Sequence, residues 1–484
     1  VALPEVDPMM TQNTLRAFPP VAVPEATVPL RAEVAAPTPD AWVALRSKTV
    51  AWSRPWLRVA LFALVLSAST GVLLRFGLTQ GMPAWATNYG AVRHAHSHLM
   101  YFGWGTLGIM ALIWGLLPLQ TARPRPRWAG AQLALTALLS LLSFPAFWAN
   151  GYGETEIFGR SLPLGSMAAA INGLPWFLFL ALYLVATWKL PVRSLAVQLW
   201  DWALVLLMLA SAGAMALGVQ VALNVESSVL RNASLHIFLD LFATGWFTLA
   251  MLGLLWAWLG TPARATGMEG SVGAQPAAWL PTMAVALPLV MTFVLGMSPA
   301  AVSPAAFWVA VLANLVAALL LAGHLRALLA QRRGLPRLAL FGLAFFTIYL
   351  LTAVVVLVPG IWRVAVGGQL RVFYLHNLLL GFMSSILLGM VLQVVRGVRA
   401  PRAGRDWPTW AVEWLWMVGV GVMIFALLGL GMTRWISISA ILWLRLAAWS
   451  SLLPATAAVL AMLLPARQAE DQWAGAHRPD VRGA

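Results

Sequence analysis

The chain has 484 residues, 61% of them hydrophobic and 10% charged, with a mean hydropathy of +0.81. A soluble domain carries about 25% charged residues, so this is the composition of a polytopic membrane protein. The net charge of +15 is spread over short loops between apolar stretches, which argues against nucleic acid as a partner, and the absence of cysteine excludes disulfides, thiolate zinc sites, iron–sulfur clusters and covalent haem attachment.

In chain order, residues 1–55 are rich in Pro, Ala and Val without a helical period, the composition of a disordered leader and not of a signal peptide. Twelve apolar stretches follow, at 56–78, 96–119, 128–149, 164–188, 199–223, 235–259, 278–298, 303–325, 337–358, 373–395, 408–431 and 438–464. Each approaches or exceeds the ~20 residues that cross the hydrocarbon as a helix. They predict an all-α transmembrane domain over 56–465, one bundle of about twelve helices, ahead of a polar tail at 466–484. The loops leading from even to odd spans hold fourteen Lys and Arg, against six on the opposite side. By the positive-inside rule both termini are expected in the cytoplasm, with the bilayer a bacterial inner membrane.

Five of the seven histidines fall at matching ends of spans. His94, His96 and His98 open the second, His236 opens the sixth and His376 opens the tenth. Even-numbered spans of a serpentine chain begin on one membrane face, so these imidazoles are expected in one extracytoplasmic plane. Neutral imidazole is the commonest protein ligand for haem iron and copper. Successive helical residues rotate by 100°, which puts His94 and His98 on one face and His96 nearly opposite. His236 stands one turn before Asp240, close enough at i,i+4 to share a ligand. A carboxylate at that depth costs about 3 kcal/mol unless it is protonated, paired or metal-bound. The spacing His376-x4-Gly381 repeats His98-x4-Gly103, which suits either the approach of a flat macrocycle or an ordinary helix crossing. Asp201 and Arg445 are further charges inside apolar spans, whereas His324, at the opposite face, and His477, in the tail, are expected to be bystanders. The connection NGYGETEIFGRSLP is the most distinctive one on the histidine side.

On these segments the chain resembles subunit I of the haem–copper oxidase superfamily, nearest its nitric oxide reductase and cbb-type branch. HSHLMYFGWGTLGIMALIWGLLP is similar to that family's second helix, HIFLD to its sixth, FYLHNLLLG to its tenth and GYGETEIFGRSLP to its third-to-fourth connection. The resemblance implies a haem b held by His376 with His96 or His98, and Arg434 near the haem propionates. It also implies copper or non-haem iron at His236 and Asp240, with His94 as a further candidate ligand. Two departures point to a degenerate binuclear site: the seventh span has no histidine, and Tyr374 stands where a second haem would be ligated. HSHLMYFG and HNLLLGFMSSILLG also resemble NnrS-type haem–copper membrane proteins. The expectation is electron transfer or nitric oxide/oxygen chemistry, with an electron-donor cytochrome or another membrane subunit as partner. A cofactor-free proton-coupled transporter and an active reductase with a rebuilt metal site are the alternatives.

Overall fold

The computed structural model describes residues 39–190, 193–265, 282–358, 360–397 and 407–465. The leader up to residue 38, the tail from 466 and His477 lie outside the described residues.

Among these residues, eleven helices are long and apolar enough to cross a membrane: α2 (Arg54–Gln80), α3 (Tyr89–Thr121), α4 (Ala129–Asn150), α5 (Leu164–Thr187), α6 (Leu195–Gln220), α7 (Ser228–Gly260), α9 (Pro304–Ala330), α10 (Arg337–Val355), α12 (Gln369–Arg396), α13 (Trp407–Gly431) and α14 (Ala440–Leu463). Of the expected seventh span, 278–281 lie outside the described residues and the rest is an apolar helix, α8 (Thr282–Gly296), with Pro288 inside it and a break at Thr292. A short helix α11 (Ile361–Gly367) precedes α12. The protein is therefore an all-α membrane protein.

Residues 39–51 depart from the expected disorder by forming helix α1 (Pro39–Ala51). Tertiary contacts explain why no hydrophobic period announced it. The Arg46 guanidinium lies 4.4 Å over the Trp258 ring and donates to Trp258 O at 3.0 Å. Val50 is fully buried, and Ser53 Oγ, just beyond the helix, donates to Ala111 O at 2.7 Å. The distinctive connection also has structure, a small hairpin pairing β1 (Thr155–Ile157) with β2 (Arg160–Leu162).

The histidine-bearing helices begin before their apolar runs do. Asn88 caps α3 by accepting from Ala91 N, and Ser227 caps α7 by accepting from Leu230 N. Hydropathy trims such a polar first turn, so the histidines sit inside the helices and not at their mouths. Large exposed tryptophans mark both ends of the bundle, with Trp128, Trp188 and Trp407 at the arginine-rich end and Trp85, Trp308 and Trp435 at the histidine end. That is the interfacial placement an amphipathic indole favours.

Helices α3, α7 and α12 form the inner layer. Their central windows are 89, 83 and 83% buried, against at most 50% for any other span. Each contains a π-helical turn, at Leu99–Thr106, Leu241–Phe247 and Asn377–Ser384. Such wide turns are rare and concentrate at functional sites. The three turns pack on one another at one depth. Trp104 Nε1 donates to Ser384 Oγ at 3.0 Å, and the Tyr101 ring lies 5.7 Å from Phe242 and 5.6 Å from Phe247.

Candidate functional site

A sequence repeat underlies the three turns. HLMYFGWGT (98–106), DLFATGWFT (240–248) and HNLLLGFMS (376–384) share one pattern: a polar residue, glycine five positions on, an aromatic next and a hydroxyl at the ninth position. Only the first and third copies were legible as His-x4-Gly. The second was missed because its first residue is Asp240.

Each position of the pattern has a physical role. In a π turn the backbone N–H reaches the carbonyl five residues back, which disturbs the α-helical pairing of carbonyls. In all three copies the hydroxyl bonds that carbonyl: Thr106 to Tyr101 O at 2.8 Å, Thr248 to Ala243 O at 3.4 Å and Ser384 to Leu379 O at 2.7 Å. The glycines let an outer helix come close. A Cβ on Gly103 would stand 2.9 Å from Ala63 Cβ, one on Gly245 2.9 Å from Leu206 Cβ and one on Gly381 2.6 Å from Phe345 Cγ. They serve helix crossings.

The polar residues above the turns separate into three clusters. In the first, His96 and His376 face α2. His96 Nδ1 donates to Ser67 O and His376 Nδ1 to Val372 O, both at 2.8 Å. These bonds fix the tautomer, so each ring presents the lone pair of Nε2. Arg75 Nη2 donates to His376 Nε2 at 3.1 Å, and its charge acts on both imidazoles, which also feel each other. The His96 ring packs close to α2 because Gly71 has no side chain; a Cβ there would be 3.0 Å from His96 Cε1.

In the second cluster, His94 and His98 share the opposite face of α3, as the helical rotation requires. The His98 ring stacks on Phe147 at 3.8 Å, and its Nε2 meets the Tyr152 hydroxyl at 3.0 Å. His94 meets the Tyr152 ring edge-on at 4.9 Å. Burial pushes the Tyr152 phenol up to about 12, so it is a neutral partner at any physiological pH.

In the third cluster, His236 Nδ1 lies 2.8 Å from Asp240 Oδ2, and both side chains are buried. Arg371 Nη2 reaches His236 Nδ1 at 3.3 Å and Asp240 Oδ1 at 3.7 Å, while Arg371 Nη1 donates to Gly296 O at 3.1 Å. Tyr101, Tyr349 and Tyr374 all lie within electrostatic reach of Asp240.

The remaining expected residues lie apart from these clusters. Arg434 is exposed on the connection between α13 and α14. Arg445, also exposed, joins Thr79, Gln80 and Trp449 around a cleft of about 260 Å³. Asp201 pairs with Arg193 at 2.7 Å and accepts from Tyr183 at 3.0 Å. His324 Nδ1 accepts from Trp256 at 3.2 Å. Sequence reasoning missed Arg75 and Arg371. The signal for Arg75 was a lone cation in the apolar run GVLLRFGL; Arg371 lies between the expected ninth and tenth spans and counts among the six charges on the histidine side.

No protein-family profile and no curated protein matches this chain. Among solved structures, a haem–copper terminal oxidase determined as a dimer by cryo-electron microscopy superposes with a TM-score of 0.54 at 13% identity. The match covers 88% of this chain and 85% of the oxidase chain. At that identity the likeness is one of fold, and it extends over nearly the whole described bundle.

Proposed function

We propose that this integral membrane protein binds one haem b, which His96 and His376 would hold, and acts in electron transfer. The observation that carries the reading is the matched pair of Nδ1–carbonyl bonds, to Ser67 O and Val372 O. Metal-ligating histidines commonly donate their other ring nitrogen in this way. The donor set fits: two neutral imidazoles on inner helices, a backbone bared by Gly71, and a cation, Arg75, for a propionate. A cysteine-free chain would hold haem without a covalent bond. With both imidazoles as its ligands, the bound group would supply one-electron chemistry.

The oxidase-like fold supports a haem role, and the arginine asymmetry supports an extracytoplasmic haem edge with cytoplasmic termini. An electron-donor cytochrome, or another subunit in a system handling oxygen or nitric oxide, would then meet that face of a bacterial inner membrane. His98 and His94 serve the Tyr152 contact in this scheme. The test is the visible spectrum of the purified, dithionite-reduced protein. A low-spin b-type α-band that disappears in His376→Ala is expected. A colourless wild type would sink the reading.

A further inference from the structure

The family resemblance implies a second, non-haem metal at His236 and Asp240, and the donor set here does not fit one. His94, the further candidate ligand, is turned towards Tyr152 and Phe147. Among the described residues no three His, Cys, Asp or Glu side chains gather as a metal site. Helix α8, which would have to bring more imidazoles, ends instead at Gly296. A side chain there would collide with the pair, its Cβ only 2.5 Å from His236 Nδ1. What Gly296 contributes is a carbonyl, and that carbonyl accepts from Arg371.

We propose that the Arg371 guanidinium is a built-in cation standing in the place of the second metal, which makes His236–Asp240–Arg371 a permanent charge cluster. The guanidinium lies beside both members of the pair that a metal would bridge, 3.7 Å from Asp240 Oδ1, and its hydrogen bond to Gly296 O fixes its position. A carboxylate buried in the bilayer is stabilised by a positive partner. Arginine supplies one that neither dissociates nor changes oxidation state. A dication entering beside it would meet like charge and a His236 Nδ1 already engaged with Asp240. The inference rests on α7, α8 and α12 alone and stands whether or not His96 and His376 bind haem.

The test uses the full-length protein purified from cells grown with iron, copper and zinc. Copper, zinc and iron in excess of haem are measured by elemental mass spectrometry. Thermal unfolding in detergent is compared for wild type, Arg371→Met, Asp240→Asn and the double variant. The expected result is wild type with copper, zinc and excess iron each far below one per chain. Arg371→Met should unfold several degrees below the double variant, because only the single change strands a buried charge. Arg371→Lys keeps the charge and should fall between wild type and Arg371→Met, which covers the case in which Arg371→Met cannot be produced. A stoichiometric second metal lost in His236→Ala overturns the proposal. So does equal instability of the single and double neutral variants, since the guanidinium would then not be the partner of Asp240.

Discussion

Gly71→Ala asks which imidazole on α3 is the ligand, and the structure sets its scale. The added Cβ would stand 3.0 Å from His96 Cε1, whereas non-bonded carbons settle at about 3.5–4.0 Å. The ring must therefore retreat by a few tenths of an ångström. That movement stretches the 2.8 Å bond to Ser67 O towards the limit of hydrogen-bonding range. Iron–imidazole geometry tolerates only about 0.2 Å, and complete loss of an outer partner of a metal-bound histidine typically costs about 10–100-fold in affinity. At about 1.4 kcal/mol per tenfold, that sets an upper bound of ~1.4–2.8 kcal/mol, and the strained bond should cost a measurable part of it. His98 packs on Phe147, on the other side of α3, and does not feel the change. The assay is haem titration of the stripped protein, followed by the α-band and by pyridine haemochrome content. Undiminished affinity with an unchanged low-spin spectrum in Gly71→Ala would refute His96 as ligand and transfer the role to His98.

Other expected outcomes follow from single contacts. His98→Gln and Tyr152→Phe should leave the visible spectrum unchanged while lowering the unfolding midpoint, since each breaks one hydrogen bond worth about 1 kcal/mol. Ser384→Ala removes the acceptor of a fully buried indole N–H and the hydroxyl that closes the third π turn. It should cost about 1–3 kcal/mol, and a double-mutant cycle with Trp104→Phe should recover a coupling of about 1 kcal/mol. Arg193→Gln strands a half-buried Asp201 at the arginine-rich end. Thermal unfolding should show it less stable than Arg193→Gln/Asp201→Asn, by an amount that partial exposure holds to about 1 kcal/mol.

Much of the architecture could be read without coordinates because the bilayer forces it. A stretch of twenty apolar residues has few options other than a spanning helix, and eleven of the twelve expected spans are present at full length. The errors share one cause, the weakness of hydropathy wherever tertiary contacts decide. Helix α1 depends on Trp258 and Ala111, more than fifty residues away in the chain. The polar first turns of α3 and α7 are helical because of their caps. At the candidate site the helical rotation separated His96 from His94 and His98, but it could not say which face looked towards α12. That depended on where α2 and the Tyr152 connection came to rest.

The threefold pattern also explains why motif spacing was an incomplete guide to chemistry. His98, Asp240 and His376 occupy the same position above three equivalent π turns, so backbone geometry offers each the same depth and a similar outlook. Their surroundings then make them different. Tyr152 from a loop engages His98, Arg371 from α12 holds Asp240, and Arg75 from α2 reaches His376. In each case the deciding partner is a residue outside the repeat, and in two of the three it is an arginine at the histidine end of a spanning helix. A cation there has to be compensated, and the group that compensates it is necessarily polar. In a cysteine-free membrane bundle, such arginines are therefore as informative about the chemistry as the histidines they touch. On the proposed reading, one that contacts a lone pair presented by a carbonyl-anchored imidazole would pair with an anionic cofactor, whereas one that contacts a carboxylate has its counter-charge already.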